Sequence, residues 1–211
     1  MKFAVTGGMG TGKSCVAEAL ALELGAMGVS ADLICRDLLE IGKPGYQQVR
    51  NHFSADLFLA DGQIDRPALR KVIFSDSEFR GKLDALLHPL VRQELFSCAA
   101  VAESKGIDLV AEVPLLFENG WQGDFDFTLV VFADSASCIA RIVRRDLVTE
   151  CDAMESISSQ MPLVEKCRFG DRVIDNSGSF AETLVALKQF VLDISSNPLF
   201  HGKGDSMMKK A

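Results

Sequence analysis

Apolar residues first gather at Phe3–Val5, and the stretch 2–6 reads as a short buried strand before Gly7 to Gly12 breaks all regularity. From residue 13 to 24 the apolar positions 16, 17, 20, 21 and 24 recur at helical spacing, and Gly25 follows as a stop. A weak second strand is predicted over 28–31. Helical patterning then runs over 31–41 and 44–53, divided by the turn Gly42-Lys43-Pro44-Gly45. Asp65 predicts a cap for a helix with Pro67 in its first turn. Asp76 predicts a cap for another, running toward Lys105 with an interruption at Pro89. The most apolar strand is expected over 108–113 and another over 127–133. A helix capped by Asp134 should run through Arg145, followed by one polar helix over 151–169. A short strand at 172–174 and a last helix over about 180–195 complete the pattern.

Strands alternating with helices predict an α/β fold with a parallel sheet. The helical block from about 33 to 105 is too long for one crossover and reads as an insert beside the sheet. Residues 1–195 are expected to form one domain, and 196–211, carrying Gly, Lys and Ser, a frayed tail.

Composition narrows the class. The chain has 211 residues, 48% apolar and 24% charged, with a net charge of −7, as expected of a soluble globular protein and opposite to the basic footprint of a nucleic-acid binder. No segment approaches the roughly 18 apolar residues of a membrane span, so no membrane partner is expected. The six cysteines show no C-x-x-C spacing, and no signal peptide is visible, which predicts free thiols in a reducing cytoplasm.

Gly7-Gly8-Met9-Gly10-Thr11-Gly12-Lys13-Ser14 fits G-x-x-x-x-G-K-[ST]. Glycines let successive N–H groups point into one concavity, and the following helix offers its unpaired amides and positive dipole end to the same spot. Lys13 can reach the β- and γ-phosphates, and Ser14 can ligate Mg²⁺. At average glycine usage the pattern arises in about one random chain of this length in a hundred. Here it also follows a strand and opens a helix, the context that the motif requires, so the sequence predicts binding of ATP with Mg²⁺. A GTPase should carry N-K-x-D, which is absent. The one D-x-x-G, Asp175 to Gly178, lies too late in the chain for a switch.

Further segments make the chain resemble the dephospho-coenzyme A kinase family, within the nucleoside-monophosphate-kinase-like group of P-loop enzymes. They are Val5 to Ser14, Ala31-Asp32-Leu33-Ile34-Cys35-Arg36, Leu87-His88-Pro89-Leu90-Val91-Arg92 and Val113-Pro114-Leu115-Leu116-Phe117-Glu118. Arg141, Arg145-Asp146, Gln160 and Val173 to Gly178 follow in the family's order. The resemblance implies transfer of the ATP γ-phosphoryl group to the ribose 3′-hydroxyl of dephospho-coenzyme A, the last step of coenzyme A synthesis. It implies a P-loop NTPase-type parallel-sheet core flanked by helices, a helical substrate-binding insert and a helical lid over about 134–165. Three positions depart from the usual pattern. Ser30 stands where the family usually has Asp, Cys15 stands for Thr, and Glu112 holds a position that is often Asp.

The implied site is specific. Gly8, Gly10, Thr11, Gly12, Lys13, Ser14 and Cys15 would hold the nucleotide phosphates, with Arg145 and Asn176 also on the nucleotide. Ser14 and Glu112 would hold Mg²⁺. Asp32, Lys13 and Arg141 would be catalytic: Asp32 at the reacting hydroxyl, and Arg141 neutralising charge on the transferring group. Asp32, Arg36, His88, Arg92, Pro114 and Leu115 would meet dephospho-coenzyme A. Each has a plainer reading. Asp32 could cap the helix over 33–41, and Arg141, Arg144 and Arg145 could form a solvated basic face. His88 could be a packing histidine at a helix break, Pro114 and Leu115 core, and Asn176 a turn residue. Two alternatives stay open: a kinase for another small metabolite, and a nucleotide-dependent switch without turnover. A panel of acceptors separates the first, and ATP binding without turnover marks the second.

Overall fold

The structure is a computed structural model, and it describes residues 1–196; the expected tail lies almost wholly outside them. The chain divides into two compact units, Met1–Ser30 with Val101 onward, and Ala31–Ala100.

The first unit is built on five strands: β1 (Lys2–Gly7), β2 (Met27–Ser30), β3 (Leu109–Glu112), β4 (Phe127–Phe132) and β5 (Arg172–Asp175). They pair in the order β2-β3-β1-β4-β5, every pair parallel. Parallel strands are covered on both faces, which is why β1, β3 and β4 are nearly continuous apolar runs. Phe3 and Val5 of β1 and Leu129 and Val131 of β4 point to one face. There they meet Val16 and Leu20 of α1 (Lys13–Leu24) and Leu187, Phe190 and Ile194 of α9 (Phe180–Ser196). On the other face Val130 lies under Gly170, at the turn between α8 (Leu163–Phe169) and β5.

The second unit holds α2 (Ala31–Leu38), α3 (Pro44–His52), α4 (Arg66–Ser75) and most of α5 (Ser77–Ser104), whose last turn belongs to the first unit. Its core gathers Tyr46, Val49, Leu57, Ile64, Leu69, Leu83 and Leu87. The Asp65 carboxylate accepts from the Ala68 N–H, as its capping position predicts.

Two helical expectations change. Pro89 does not interrupt α5. An internal proline removes one hydrogen bond and costs about 3 kcal/mol. Leu83, Leu87, Val91 and Leu95, one turn apart, are all buried, and their stripe carries the helix through. The expected helix over 151–169 is instead two, α7 (Glu150–Ser158) and α8, parted at Ser159 to Pro162. Pro162 disfavours helical geometry at Met161 and opens α8 as its N-cap residue. Between β4 and α7, Asp134 caps α6 (Ser135–Asp146), accepting from the Ser137 N–H. It also accepts from Ser137 Oγ at 2.6 Å, and the hydroxyl bond together with the amide bond holds the Asp134 carboxyl below its usual range. Among the described residues no helix is long and apolar enough to cross a membrane.

Candidate active site

The phosphate loop leaves the carboxyl end of β1, where the strand is flanked by β3 and β4. Two glycines make the loop possible. Gly10 has φ +80°, and a Cβ there would stand 2.6 Å from the Cys138 carbonyl oxygen. Gly12 has φ +82°, and its Cβ would stand 2.3 Å from Asn176 Nδ2. Gly12 is also the N-cap of α1, and no side chain caps the helix there. The first amides of α1 therefore remain for an anion, with the helix dipole behind them. Lys13 and Ser14 are the first two residues of that helix. Gly8 closes the loop internally, its carbonyl accepting from Thr11 Oγ1 at 2.9 Å. Cys15, next along α1, is exposed.

Ser14 Oγ donates to Glu112 Oε1 at 2.6 Å. Glu112 ends β3, in register with Val5 of β1 and Ser30 of β2, and is 8% exposed. A hydroxyl and a carboxylate meeting at the mouth of the loop are hard oxygen donors, which suits Mg²⁺ bound chiefly by water and phosphate oxygens. Glutamate in place of the shorter aspartate still reaches Ser14.

Arg141 is folded against the phosphate loop. Its Nη1 donates to the carbonyls of Gly10 at 3.3 Å and Thr11 at 3.4 Å, and its Nη2 to that of Asn176 at 2.7 Å. The reason is the close seating of α6. Cys138 abuts Gly10, so Arg141, one turn later, comes level with the carbonyl side of the loop. The Cys138 thiol is raised by burial, against a lowering effect of the Arg141 charge. Arg144 is exposed, and Arg145 makes a two-point pair with Asp146, both bonds at 2.8 Å.

Asn176 is more than a turn residue. It is buried, and its Nδ2 donates to the Thr11 carbonyl at 2.8 Å. Thr183 Oγ1 donates to Asn176 Oδ1 at 2.7 Å, which fixes the orientation of the amide. Thr183→Val would leave that buried acceptor unpaired. Thermal or urea unfolding should find it destabilised by about 1–3 kcal/mol, with weaker nucleotide binding. Thr183 was not singled out in the sequence. Its signal was a hydroxyl on the stripe Thr183, Leu187, Phe190, Ile194.

Pro114 is buried and its carbonyl accepts from Thr6 Oγ1 at 3.2 Å, while Leu115 is half-buried. That same carbonyl accepts from Lys166 Nζ at 2.8 Å, and Lys166 also pairs with Glu118 at 2.8 Å. Lys166 was missed in the sequence. It is fully buried, a charged residue on the packed side of α8.

Asp32, Arg36, His88 and Arg92 belong to the second unit. Asp32 is exposed and is the second residue of α2, inside the helix rather than capping it. It directly follows β2 and Ala31 in the chain. Burial, then the charges of Asp32 and Asp84, push the Cys35 thiol up to about 11, and Arg66 opposes them. His88 Nε2 lies 3.5 Å from Asp84 Oδ1, one turn back on α5. Burial raises the Asp84 carboxyl, while His88 and Arg80 lower it. The Arg36 carbonyl accepts from Arg66 Nη2 at 3.2 Å, and the Arg92 guanidinium lies 5.5 Å from the centre of the Phe96 ring. His88 and Arg92 thus lie on an unbroken helix, not at a helix break.

A sequence profile of the dephospho-CoA kinase family matches residues 1–182. A dephospho-CoA kinase of Desulfotalea psychrophila is 40% identical over 193 residues, 92% of this chain and 97% of the relative. One of Aeromonas hydrophila is 41% identical over 181 residues, 86% and 87% of the two chains. Among solved structures, the dephospho-CoA kinase of Campylobacter jejuni superposes with a TM-score of 0.66 at 25% identity, covering 92% of this chain and 98% of its own. A shikimate kinase of Acinetobacter baumannii shares the fold at a TM-score of 0.52 and 14% identity, covering 92% of each chain. With the phosphate loop, the Ser14–Glu112 pair and a match along nearly the whole sequence in place, the chain belongs to the dephospho-CoA kinase family.

Proposed function

We propose that the residues above divide the work of ATP-dependent phosphorylation of dephospho-CoA, the activity of this family in coenzyme A synthesis. The observation that carries the assignment is the uncapped start of α1 beside the Ser14–Glu112 pair. The amides of Gly8 and of Gly10 to Ser14 hold the β- and γ-phosphates, and Lys13 neutralises charge on them. Ser14 and Glu112 would hold Mg²⁺, which would supply further neutralisation of the phosphates when bound with ATP. The ribose 3′-oxygen attacks the γ-phosphorus, and the bond from that phosphorus to the β,γ-bridging oxygen breaks. ADP leaves, and Asp32 takes the hydroxyl proton. Arg141 and Asn176 brace the loop through its carbonyls, Asn176 on the adenine side, and Arg145 completes the nucleotide contacts. Arg36 and Arg92 reach the phosphates of dephospho-CoA, His88 makes a further contact to it, and Pro114 and Leu115 are apolar contacts.

The segment 134–165 acts as the lid, its mobile part being residues 147–149 and α7, because α6 is tied to the loop by Arg141 and the turn after α7 by Gln160. Hydrogen exchange across 147–158 should slow when a non-hydrolysable ATP analogue binds. Unchanged exchange there would remove the lid from the mechanism. The six unpaired thiols support a reducing cytoplasm as the compartment.

A coupled assay for ADP release, with dephospho-CoA, AMP, CMP and shikimate as acceptors, tests the reading. ADP should form with dephospho-CoA alone, and the product should be phosphorylated at the 3′ position. Turnover with another acceptor at equal efficiency would overturn the substrate assignment.

A further inference from the structure

Lys166 is fully buried in α8, and the reaction as described makes no use of it. Its ammonium group joins two segments. It donates to the Pro114 carbonyl just after β3, and it pairs with Glu118, whose side chain is 22% exposed. The same Glu118 Oε1 accepts from the Met161 N–H at 3.2 Å, in the connection between α7 and α8. One residue earlier, Gln160 Oε1 accepts from the Met9 N–H of the phosphate loop at 3.1 Å. A buried ammonium persists only where charges and carbonyls surround it, so its partners are held in place. Lys166 thereby fixes Glu118, Glu118 fixes Met161, and Gln160 is laid on the loop.

A carboxamide carries one acceptor oxygen and an amino group with two donors. The oxygen of Gln160 is taken by Met9. Among the described residues its amino group donates to none, and it stands beside a loop built to hold phosphate. Its chemical complement is an anionic oxygen.

We propose that the Lys166–Glu118 pair is a latch that seats Gln160 on the phosphate loop, and that the Gln160 amino group donates to the terminal phosphate of ATP. This rests on the reading of Gly7–Ser14 as the ATP site. Gln160 then senses the γ-phosphate, and Lys166 and Glu118 are positioning residues acting through it. The latch makes the enzyme prefer ATP over ADP and orients the phosphoryl group for transfer.

Calorimetry on the full chain with ADP and with a non-hydrolysable ATP analogue, beside steady-state kinetics, tests this. Gln160→Ala should weaken the ATP analogue about tenfold, the worth of one hydrogen bond to a charged group, and leave ADP within about twofold. Its kcat should fall about tenfold, with little change in KM for dephospho-CoA. Lys166→Met should shift the ATP-to-ADP ratio in the same direction, and Lys166→Arg should recover most of it. Should Lys166→Met fail to fold, Glu118→Ala, which removes the acceptor shared by Lys166 and the Met161 N–H, decides by the same ratio. Equal loss for both nucleotides in Gln160→Ala, or loss for neither, overturns the contact to the terminal phosphate. A normal ratio in the folded Lys166 or Glu118 variant overturns the latch. Wild-type protein that bound neither nucleotide would overturn the phosphate-loop reading and this proposal with it.

Discussion

Lys13→Met is expected to lower kcat by about 10²–10³, the cost of removing one preorganised charge from a developing transition state. The substitution keeps the stem of the side chain and every amide of the loop. ADP should therefore still bind, with a modest loss measurable by calorimetry, while a coupled ADP-release assay reads the fall in turnover. The asymmetry follows from where the charge acts. The main chain between Gly8 and Ser14 and the start of α1 hold phosphate in the ground state, whereas the ammonium group matters most as charge redistributes over the transferring group. Equal loss of kcat and of ADP affinity would assign Lys13 to binding alone.

Asp32→Asn is expected to cost at least about 10² in kcat, the low end for a positioned proton acceptor. Asparagine keeps the size of the side chain and can still accept a hydrogen bond from the hydroxyl, but it cannot take the proton. The KM for dephospho-CoA should therefore change little. Asp32 is exposed in the first turn of α2, so the fold should tolerate the change, and unfolding curves check this. Turnover within a few-fold of wild type would remove Asp32 from the mechanism. Asp32 is the only carboxylate of Ser30-Ala31-Asp32.

The order of strands and helices could be read from the chain because it depends on local rules. Apolar spacing over 13–24 and Gly25 placed α1 to the residue, and Asp65 and Asp134 marked the starts of α4 and α6. Pro89 misled because its local cost is outweighed by a buried leucine and valine stripe that only the packed unit reveals. The break at Ser159 to Pro162 was missed although Pro162 was visible, since the polar pattern on either side continues at helical spacing.

The loop, its lysine and the serine that suits Mg²⁺ follow from residues next to one another in the chain, where glycine's freedom and a helix start act over a few positions. The sequence by itself therefore determined that this protein grips a nucleotide phosphate, and its further motifs determined the family. The direction of the Arg141 guanidinium, the bond from Asn176 to Thr11 across 165 positions, and the burial of Lys166 against Pro114 across 52 were decided only by the tertiary structure. Such contacts depend on how strands and helices from distant parts of the chain pack side by side, and nothing in local spacing encodes which carbonyl an arginine or lysine will meet.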